Sequence, residues 1–185
     1  MSVHIGYVYW SDVFSKSVHR MTYNGSWYET VIEGEPEGLA IDWISRNIYW
    51  TQNSGDEDSI QVARLDSRNS KTLIKDGLVD PRGIVVHPGL GRLYWTDWNR
   101  FSPKIETANM DGTERGTFVS ENLVLPNMLA IDYASNDLCW TDAGSHRIEC
   151  VSLNGQNRRI IHTPAAYPFD ITVASDYIFY TDWQE

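Results

Sequence analysis

One four-residue motif recurs five times along this chain, and its spacing constrains the fold more than any other feature. Its second position is an aromatic residue at 10, 50, 95, 140 and 180, so successive copies lie 40, 45, 45 and 40 residues apart. A repeat of this length in a strand-rich sequence corresponds to one four-stranded blade of a β-propeller. The copies are Tyr9-Trp10-Ser11-Asp12, Tyr49-Trp50-Thr51-Gln52, Tyr94-Trp95-Thr96-Asp97, Cys139-Trp140-Thr141-Asp142 and Phe179-Tyr180-Thr181-Asp182.

Each period also divides into short strands separated by turns. In the third period, an apolar segment at 83–87 precedes the turn sequence 88–91, and an aromatic and β-branched segment at 92–97 follows. An alternating segment at 104–110 then ends at the hairpin dipeptide Asp111-Gly112. Since no long segment has apolar residues at helical spacing, the sequence predicts an all-β chain. Its pieces are 1–34, 35–79, 80–124, 125–166 and 167–185, with three, four, four, four and two strands, seventeen in total.

Composition excludes several classes of function. The 185 residues include 15 Lys and Arg against 25 Asp and Glu, a formal net charge of −10, while 42% are hydrophobic and 22% are charged. These fractions are typical of an ordered globular protein and not of a disordered chain. The negative charge repels phosphate backbones and anionic lipids, so neither nucleic acid nor a membrane surface is expected as a partner. No apolar run is long enough for a transmembrane helix.

The repeated motif, with a proline turn before each innermost strand, resembles the YWTD repeats of the low-density lipoprotein receptor class B family. The resemblance covers the whole chain and implies a six-bladed β-propeller in an extracellular protein. Six blades of four strands make about 24 strands, whereas this sequence accounts for seventeen. The chain is therefore expected to form an incomplete propeller, an open arc of about four blades.

The two ends of such an arc expose strand edges and apolar faces that neighbouring blades normally cover. The isolated chain is therefore expected to aggregate or to form oligomers. Its first residues also lack the basic and apolar regions of a signal peptide. Because the arc resembles part of a ring, we expect the parent chain to begin upstream.

Two slots of the motif are predicted to have structural roles. A ring in the second slot alternates with the residue before it across the strand, so each face of a blade receives one large ring. A carboxylate in the fourth slot ends a strand and can accept hydrogen bonds from backbone N–H groups of an adjacent turn, a role favoured over catalysis. The rings are Trp10, Trp50, Trp95, Trp140 and Tyr180, and the carboxylates are Asp12, Asp97, Asp142 and Asp182.

Within the family, two stretches are most similar to members found in the basement membrane. One is 93–100 with 103–107 and 110–113, and the other is 138–144, ending in Glu149-Cys150, with a Cys in the first slot of the motif. These matrix members bind an epidermal-growth-factor-like module of laminin through one propeller face. The resemblance therefore implies a non-catalytic extracellular protein that binds laminin and uses no cofactor.

The resemblance also indicates which residues surround the mouth of the central channel on the binding face. They are Glu37, Arg82, Asn127 and Phe169 after the proline turns, and Trp98 and Trp183 after the motif. Aromatic anchors beside directed polar groups are typical of interface hot spots. The laminin epitope presents an Asp and an Asn, so Arg82 is expected to pair with the acid and Asn127 with the amide. Ordinary turn residues at a blade mouth are the alternative interpretation.

The only two cysteines, Cys139 and Cys150, lie eleven residues apart on neighbouring strands of one predicted blade. A disulfide that closes so short a loop contributes roughly 3 kcal/mol in the chain-entropy model, and two buried thiols are the alternative. The even number of cysteines and the similarity to matrix proteins favour the disulfide. A metal site is not expected, because two thiolates leave zinc coordination incomplete.

Asn24-Gly25-Ser26 is the single N-glycosylation sequon, and it falls at a predicted hairpin turn. A turn role alone also explains the Asn-Gly pair. Both interpretations stay open, and glycosylation requires that the parent protein be secreted.

Two alternative functions stay open. The same kind of propeller occurs in lipoprotein-receptor and growth-factor-precursor ectodomains, where it binds or releases other ligands. Some six-bladed propellers are instead metal-dependent lactonases or esterases, for which Glu37, Asn127 and Asp170 are the candidate residues. Those enzymes do not resemble YWTD proteins, and no Ser/His/Asp or Cys/His arrangement supplies a nucleophile, so catalysis is not expected.

Overall fold

In the part of the chain that the structure describes, seventeen strands form five consecutive antiparallel sheets. The computed structural model describes residues 6–55, 57–66 and 69–184, so the first predicted piece is seen from residue 6 and the last up to residue 184. The strands are β1 (Tyr7–Asp12), β2 (Ser17–Thr22), β3 (Tyr28–Glu33), β4 (Pro36–Asp42), β5 (Asn47–Gln52), β6 (Ser59–Arg64), β7 (Ser70–Ile74), β8 (Pro81–His87), β9 (Arg92–Asp97), β10 (Lys104–Asn109), β11 (Gly116–Val119), β12 (Pro126–Asp132), β13 (Asp137–Asp142), β14 (Arg147–Ser152), β15 (Arg159–His162), β16 (Pro168–Ala174) and β17 (Tyr177–Asp182).

Every sheet is a meander in which consecutive strands pair. The sheets contain β1–β3, β4–β7, β8–β11, β12–β15 and β16–β17. The described residues include no helix, so none of them forms a membrane-spanning helix. The predicted fold class, an incomplete all-β propeller with seventeen strands, is confirmed.

Aromatic side chains of the motif fill the spaces between successive sheets. Tyr49 of the second sheet and Trp95 of the third belong to one buried cluster, and Tyr94 of the third sheet and Trp140 of the fourth belong to the next. Adjacent positions on a strand point to opposite faces, so one strand supplies a ring to the gap on each side. Trp10 and Tyr180 are only partly buried; the first described sheet has a neighbour on one side, and the last has only two strands.

The innermost strands begin with a bulge that removes two residues from the strand ladder. In β4 the pairing with β5 shifts between Pro36 and Leu39, and in β8 the pairing with β9 shifts between Pro81 and Ile84. The amide groups at Gly38 and Gly83 therefore need partners outside the ladder, because a buried N–H without a hydrogen bond is costly.

The threonine of the motif supplies that partner and also connects neighbouring sheets. The Thr96 hydroxyl accepts a hydrogen bond from the Gly83 amide at 2.8 Å and donates one to the Asn127 carbonyl oxygen of β12 at 2.7 Å. Thr96 is fully buried. The same pair of bonds recurs at Thr51, with the Gly38 amide at 2.9 Å and the Arg82 carbonyl at 2.5 Å, and at Thr141, with the Met128 amide at 3.2 Å and the Phe169 carbonyl at 2.8 Å.

Glycine at two of the bulges allows the innermost strands to approach closely. A Cβ atom at Gly83 would lie 2.6 Å from the Asn127 carbonyl oxygen, and one at Gly38 would clash with the Arg82 carbonyl oxygen. A side chain at either position would therefore force the neighbouring innermost strands to shift. Met128 and Asp170 occupy the equivalent slots of the last two innermost strands.

The predicted disulfide is present between Cys139 and Cys150. The two residues are directly opposite each other in the pairing of β13 with β14. Cys139 occupies the first slot of its motif and belongs to the cluster that packs against Tyr180 of the last sheet. The disulfide therefore takes the place of the tyrosine ring that fills the other gaps.

We expect Thr96→Val to lower the free energy of unfolding by about 2 kcal/mol, because it leaves the buried Gly83 amide and Asn127 carbonyl without their partner. Thr117→Val is the matched control, since Thr117 is exposed on β11. Urea denaturation of both variants measures the difference. Equal midpoints for Thr96→Val and Thr117→Val would contradict the bridging role.

Candidate binding face

The turns that enter the innermost strands and the residues that follow the motif meet at one end of the sheets. We call this end the mouth and define it by Glu37, Arg82, Trp98, Phe169 and Trp183. A cavity of about 920 Å³ opens there between β1 and the innermost strands. Of these residues, all except Trp98 line the cavity.

Arg82 is the best-fixed charged side chain of the mouth. Its Nη1 lies 3.1 Å from Glu37 Oε2, and its guanidinium carbon lies 3.5 Å from the centre of the Trp98 ring. A guanidinium over an indole face is attracted by the ring's electron density. The Arg82 side chain remains 21% exposed, so it presents a pre-oriented positive charge to the surface.

Trp98 is held in turn by a backbone carbonyl group, and Glu37 is held by the side-chain amide of Asn53. Trp98 Nε1 donates to the Pro126 carbonyl oxygen at 2.8 Å, which fixes the ring beneath Arg82. Asn53 Nδ2 donates to Glu37 Oε1 at 3.3 Å. Burial raises the pKa of Glu37 while the charge of Arg82 lowers it, and the net direction is upward.

Phe169 and Trp183 form an aromatic platform elsewhere on the same cavity. Their rings stack with centroids 4.3 Å apart, and Tyr167 also stacks with Trp183 at 5.7 Å. Trp183 is 65% exposed. An ordered ring that stays exposed is suited to contact an apolar or planar group of a partner.

Asn127 does not belong to the exposed mouth. It is fully buried, and its Nδ2 donates to the Pro168 carbonyl oxygen of β16 at 2.8 Å. The expectation that Asn127 pairs with an amide of the partner is therefore replaced by a structural role between β12 and β16. The physical reason is that its side chain bonds to the next innermost strand instead of extending into the cavity.

The motif carboxylates accept backbone hydrogen bonds at turns, as a capping role requires. Asp12 accepts from the amides of Phe14 and Ser15, and Asp182 accepts from those of Tyr167 and Gln184. Asp97 accepts from Val79 and Asn99, and Asp142 from Val124, Leu125, Gly144 and Ser145. Burial raises the pKa of Asp97 against the lowering effect of these bonds.

Sequence reasoning missed the bridging threonines and two residues that support the mouth. Thr51, Thr96 and Thr141 occupy a constant slot in the motif, and this regularity was the available signal for their role. Asn53 and Tyr167 carried no repeated signal, because each supports a single mouth residue: Asn53 contacts Glu37, and Tyr167 contacts Trp183.

Residues 46–88 and 91–133 match the family described as low-density lipoprotein receptor repeat class B. With five copies of its motif and a propeller arrangement of sheets, the chain belongs to this family. The resemblance predicted from the sequence is thereby confirmed.

Nidogens are similar to the chain over nearly its whole length. Mouse Nidogen-2 is 48% identical over 181 residues, and Drosophila melanogaster Nidogen is 40% identical over 184 residues; each alignment covers 96% of this chain and 13% of the relative. One chain of a solved nidogen/laminin complex superposes with a TM-score of 0.90 at 44% identity, covering 97% of this chain and 68% of that one. The chain thus spans about an eighth of the length of these curated nidogens.

A receptor of the same family is similar over a shorter stretch. Mouse low-density lipoprotein receptor-related protein 5 is 40% identical over 91 residues, which are 46% of this chain and 6% of that protein. The nidogens therefore account for about twice as much of the sequence.

The upward pKa shift of Glu37 has a consequence for stability. The folded chain holds the Glu37 proton to a higher pH than the unfolded chain does, so the stability of the wild type relative to Glu37→Gln falls as pH rises through the folded pKa. We expect this decline in urea titrations at pH values above the ordinary Glu pKa of 4.5.

Asp132 supplies a control of opposite sign, because the Ser135 hydroxyl lowers its pKa. The stability of the wild type relative to Asp132→Asn is retained above the ordinary value of 3.8 and is lost as pH falls through the folded pKa. The two stability differences should therefore change with pH in opposite directions. If they changed in the same direction, the upward pKa shift assigned to Glu37 would be wrong.

Proposed function

We propose that this chain is part of an extracellular, non-catalytic binding protein of the basement membrane, and that its mouth binds an epidermal-growth-factor-like module of laminin. The observation that carries the proposal is Arg82, held between Glu37 and the face of Trp98 while still partly exposed. The similarity to nidogens, and to a chain of a nidogen/laminin complex, supports the choice of partner.

The chemistry of the mouth favours an acidic partner with an apolar contact beside it. Arg82 Nη1 faces Glu37, Nε is buried, and the partly exposed remainder of the guanidinium supplies a positive charge that suits a carboxylate of the partner. The stacked Phe169 and Trp183 rings supply exposed apolar area elsewhere on the cavity. A fixed charge next to rigid rings loses little entropy on binding, which favours affinity.

The same residues favour binding over hydrolysis. Glu37 is paired with Arg82, Asn127 bonds to the Pro168 carbonyl oxygen, and Asp170 Oδ1 accepts from the Ile171 amide. The three candidates for a hydrolase site are therefore engaged in separate interactions. Across residues 6–55, 57–66 and 69–184, no group of three or more His, Cys, Asp or Glu is arranged to hold a metal ion.

We expect Arg82→Ala and Trp98→Ala each to weaken binding of a laminin epidermal-growth-factor-like module by about 30-fold, the effect of losing an interface hot spot. Surface plasmon resonance with the full chain measures the dissociation constants. Trp98→Phe keeps a ring beneath Arg82 and most of the buried packing, so it should weaken binding less than Trp98→Ala does.

Arg64→Ala is the control, because Arg64 is an exposed arginine outside the mouth that pairs with Asp66. It should leave the dissociation constant unchanged. Unchanged binding by both Arg82→Ala and Trp98→Ala, with circular dichroism spectra of the wild type, would remove the mouth as the laminin site.

We also propose that the isolated chain self-associates through its last sheet. Tyr177 and Phe179 lie on one face of β17, and both are exposed. An uncovered apolar face beside an edge strand favours pairing with a second copy.

Light scattering after size exclusion should therefore give a mass above that of one chain and rising with concentration. The double variant Tyr177→Lys and Phe179→Lys should lower this mass. Phe101→Lys should leave the mass unchanged, because Phe101, although fully exposed, lies on a turn outside the last sheet. A wild-type chain that is monomeric at every concentration would contradict the proposal.

A further inference from the structure

The hairpin turn between β2 and β3 lies at the end of the first sheet opposite the mouth. β1 ends at the mouth with Asp12, and β2 runs back from there to Thr22. The turn is closed by hydrogen bonds from the Thr22 amide to the Trp27 carbonyl at 3.0 Å and from the Gly25 amide to the Thr22 carbonyl at 2.9 Å. Gly25 has a φ of +70°, which glycine adopts without strain.

Asn24 in this turn is exposed and presents its amide nitrogen. Its Oδ1 accepts from the Ser26 amide at 3.0 Å, from the Ser26 hydroxyl at 2.7 Å and from the Thr22 hydroxyl at 2.8 Å. Within the described part of the chain, Nδ2 has no hydrogen-bond partner. The two sequon side chains are thus already in contact, and the nitrogen that would carry a sugar is free.

The equivalent turns show that the hairpin itself does not require this sequon. Asp111 accepts from the Thr113 amide and hydroxyl at 2.9 and 2.6 Å, and Asn154 accepts from the Gln156 amide at 3.0 Å. Each turn needs an Asp or Asn followed by Gly. Of the three, the turn at residue 24 alone combines Asn with a hydroxyl residue two positions later.

Two exposed aromatic residues flank Asn24 in the sequence. Tyr23 precedes it and is exposed, and Trp27 is 41% exposed. The Trp27 ring is held in place by Tyr7, with centroids 5.7 Å apart, and by the Arg20 guanidinium at 5.2 Å. Rings with an apolar face and fixed orientation suit the C–H groups of a sugar ring.

We propose that Asn24 is an N-glycan attachment site and that the first sugar packs on Trp27. Asn24 Nδ2 forms a bond to the anomeric carbon of a polyprenyl-pyrophosphate-linked oligosaccharide; the bond from that carbon to the pyrophosphate oxygen breaks, the polyprenyl pyrophosphate leaves, and Nδ2 loses one proton to the transferase. The proposal rests on the proposed function only because it needs an extracellular chain.

The test is secretion of the full chain from a eukaryotic cell line behind a secretion leader, followed by peptide mass spectrometry. The peptide containing Asn24 should carry a hexose and N-acetylhexosamine mass, and amidase treatment should convert Asn24 to Asp. Asn24→Gln and Ser26→Ala should both lose the glycan, the second with the asparagine turn intact. An unmodified Asn24 in the secreted wild type overturns the proposal.

Asp111→Asn is the matched positive control, because it places the sequence Asn-Gly-Thr in an equivalent turn. We expect a second glycan on this variant. A glycan at residue 111 without one at Asn24 shows that the host is competent and contradicts the proposal. The glycosylated wild type should also melt at a higher temperature than Ser26→Ala, and this difference should vanish when both chains also carry Trp27→Ala. A difference of the same size in the Trp27→Ala background contradicts the packing on Trp27.

Laminin binding on the same samples separates this proposal from the previous one. Because the turn lies opposite the mouth, Asn24→Gln should retain the wild-type dissociation constant. A secreted wild type that binds laminin but carries no glycan at Asn24 refutes only the attachment site, whereas a wild type that carries the glycan but does not bind laminin refutes only the proposed function.

Discussion

The hydroxyl bridge made by the motif threonine is the interaction on which the rest of the structure depends. A bulge at the start of each innermost strand takes an amide out of the strand ladder, and the threonine supplies the missing acceptor. The same hydroxyl then donates to a carbonyl of the next sheet. One buried hydroxyl therefore supplies the hydrogen bond that the bulge leaves missing. It also fixes the position of one sheet relative to the next, which apolar packing alone does not specify.

This bridge also explains how a repeated scaffold carries a variable binding surface. The carbonyl groups that receive the hydroxyls belong to the residues after the proline turns: Glu37 from Ser11, Arg82 from Thr51, Asn127 from Thr96 and Phe169 from Thr141. Their backbones are thus fixed identically, while their side chains differ in charge, size and exposure. Arg82 gains its orientation from this backbone and from Glu37 and Trp98.

Periodic features could be predicted from the sequence, whereas contacts specific to one position could not. The strand number and the disulfide followed from the spacing of Trp95 and its equivalents and from the strands that carry Cys139 and Cys150. Asn127 was expected at the mouth because the family resemblance places the residue after each proline turn there, but its amide reaches a carbonyl of β16 that the sequence does not place. The threonine bridge was missed because its two partners come from different sheets. The piece boundaries stay a prediction.

Amide hydrogen exchange followed by nuclear magnetic resonance tests the bridge most directly. The Gly38 and Gly83 amides bond to buried threonine hydroxyls, whereas the amide of the exposed residue Phe101 bonds to the Asn99 side chain in a solvent-exposed hydrogen bond. The account predicts that the two glycine amides exchange as slowly as ladder amides of β9. Both kinds of amide reach solvent only when the hydrogen bonds of the sheets open. Exchange of Gly38 and Gly83 as fast as that of Phe101 would contradict it.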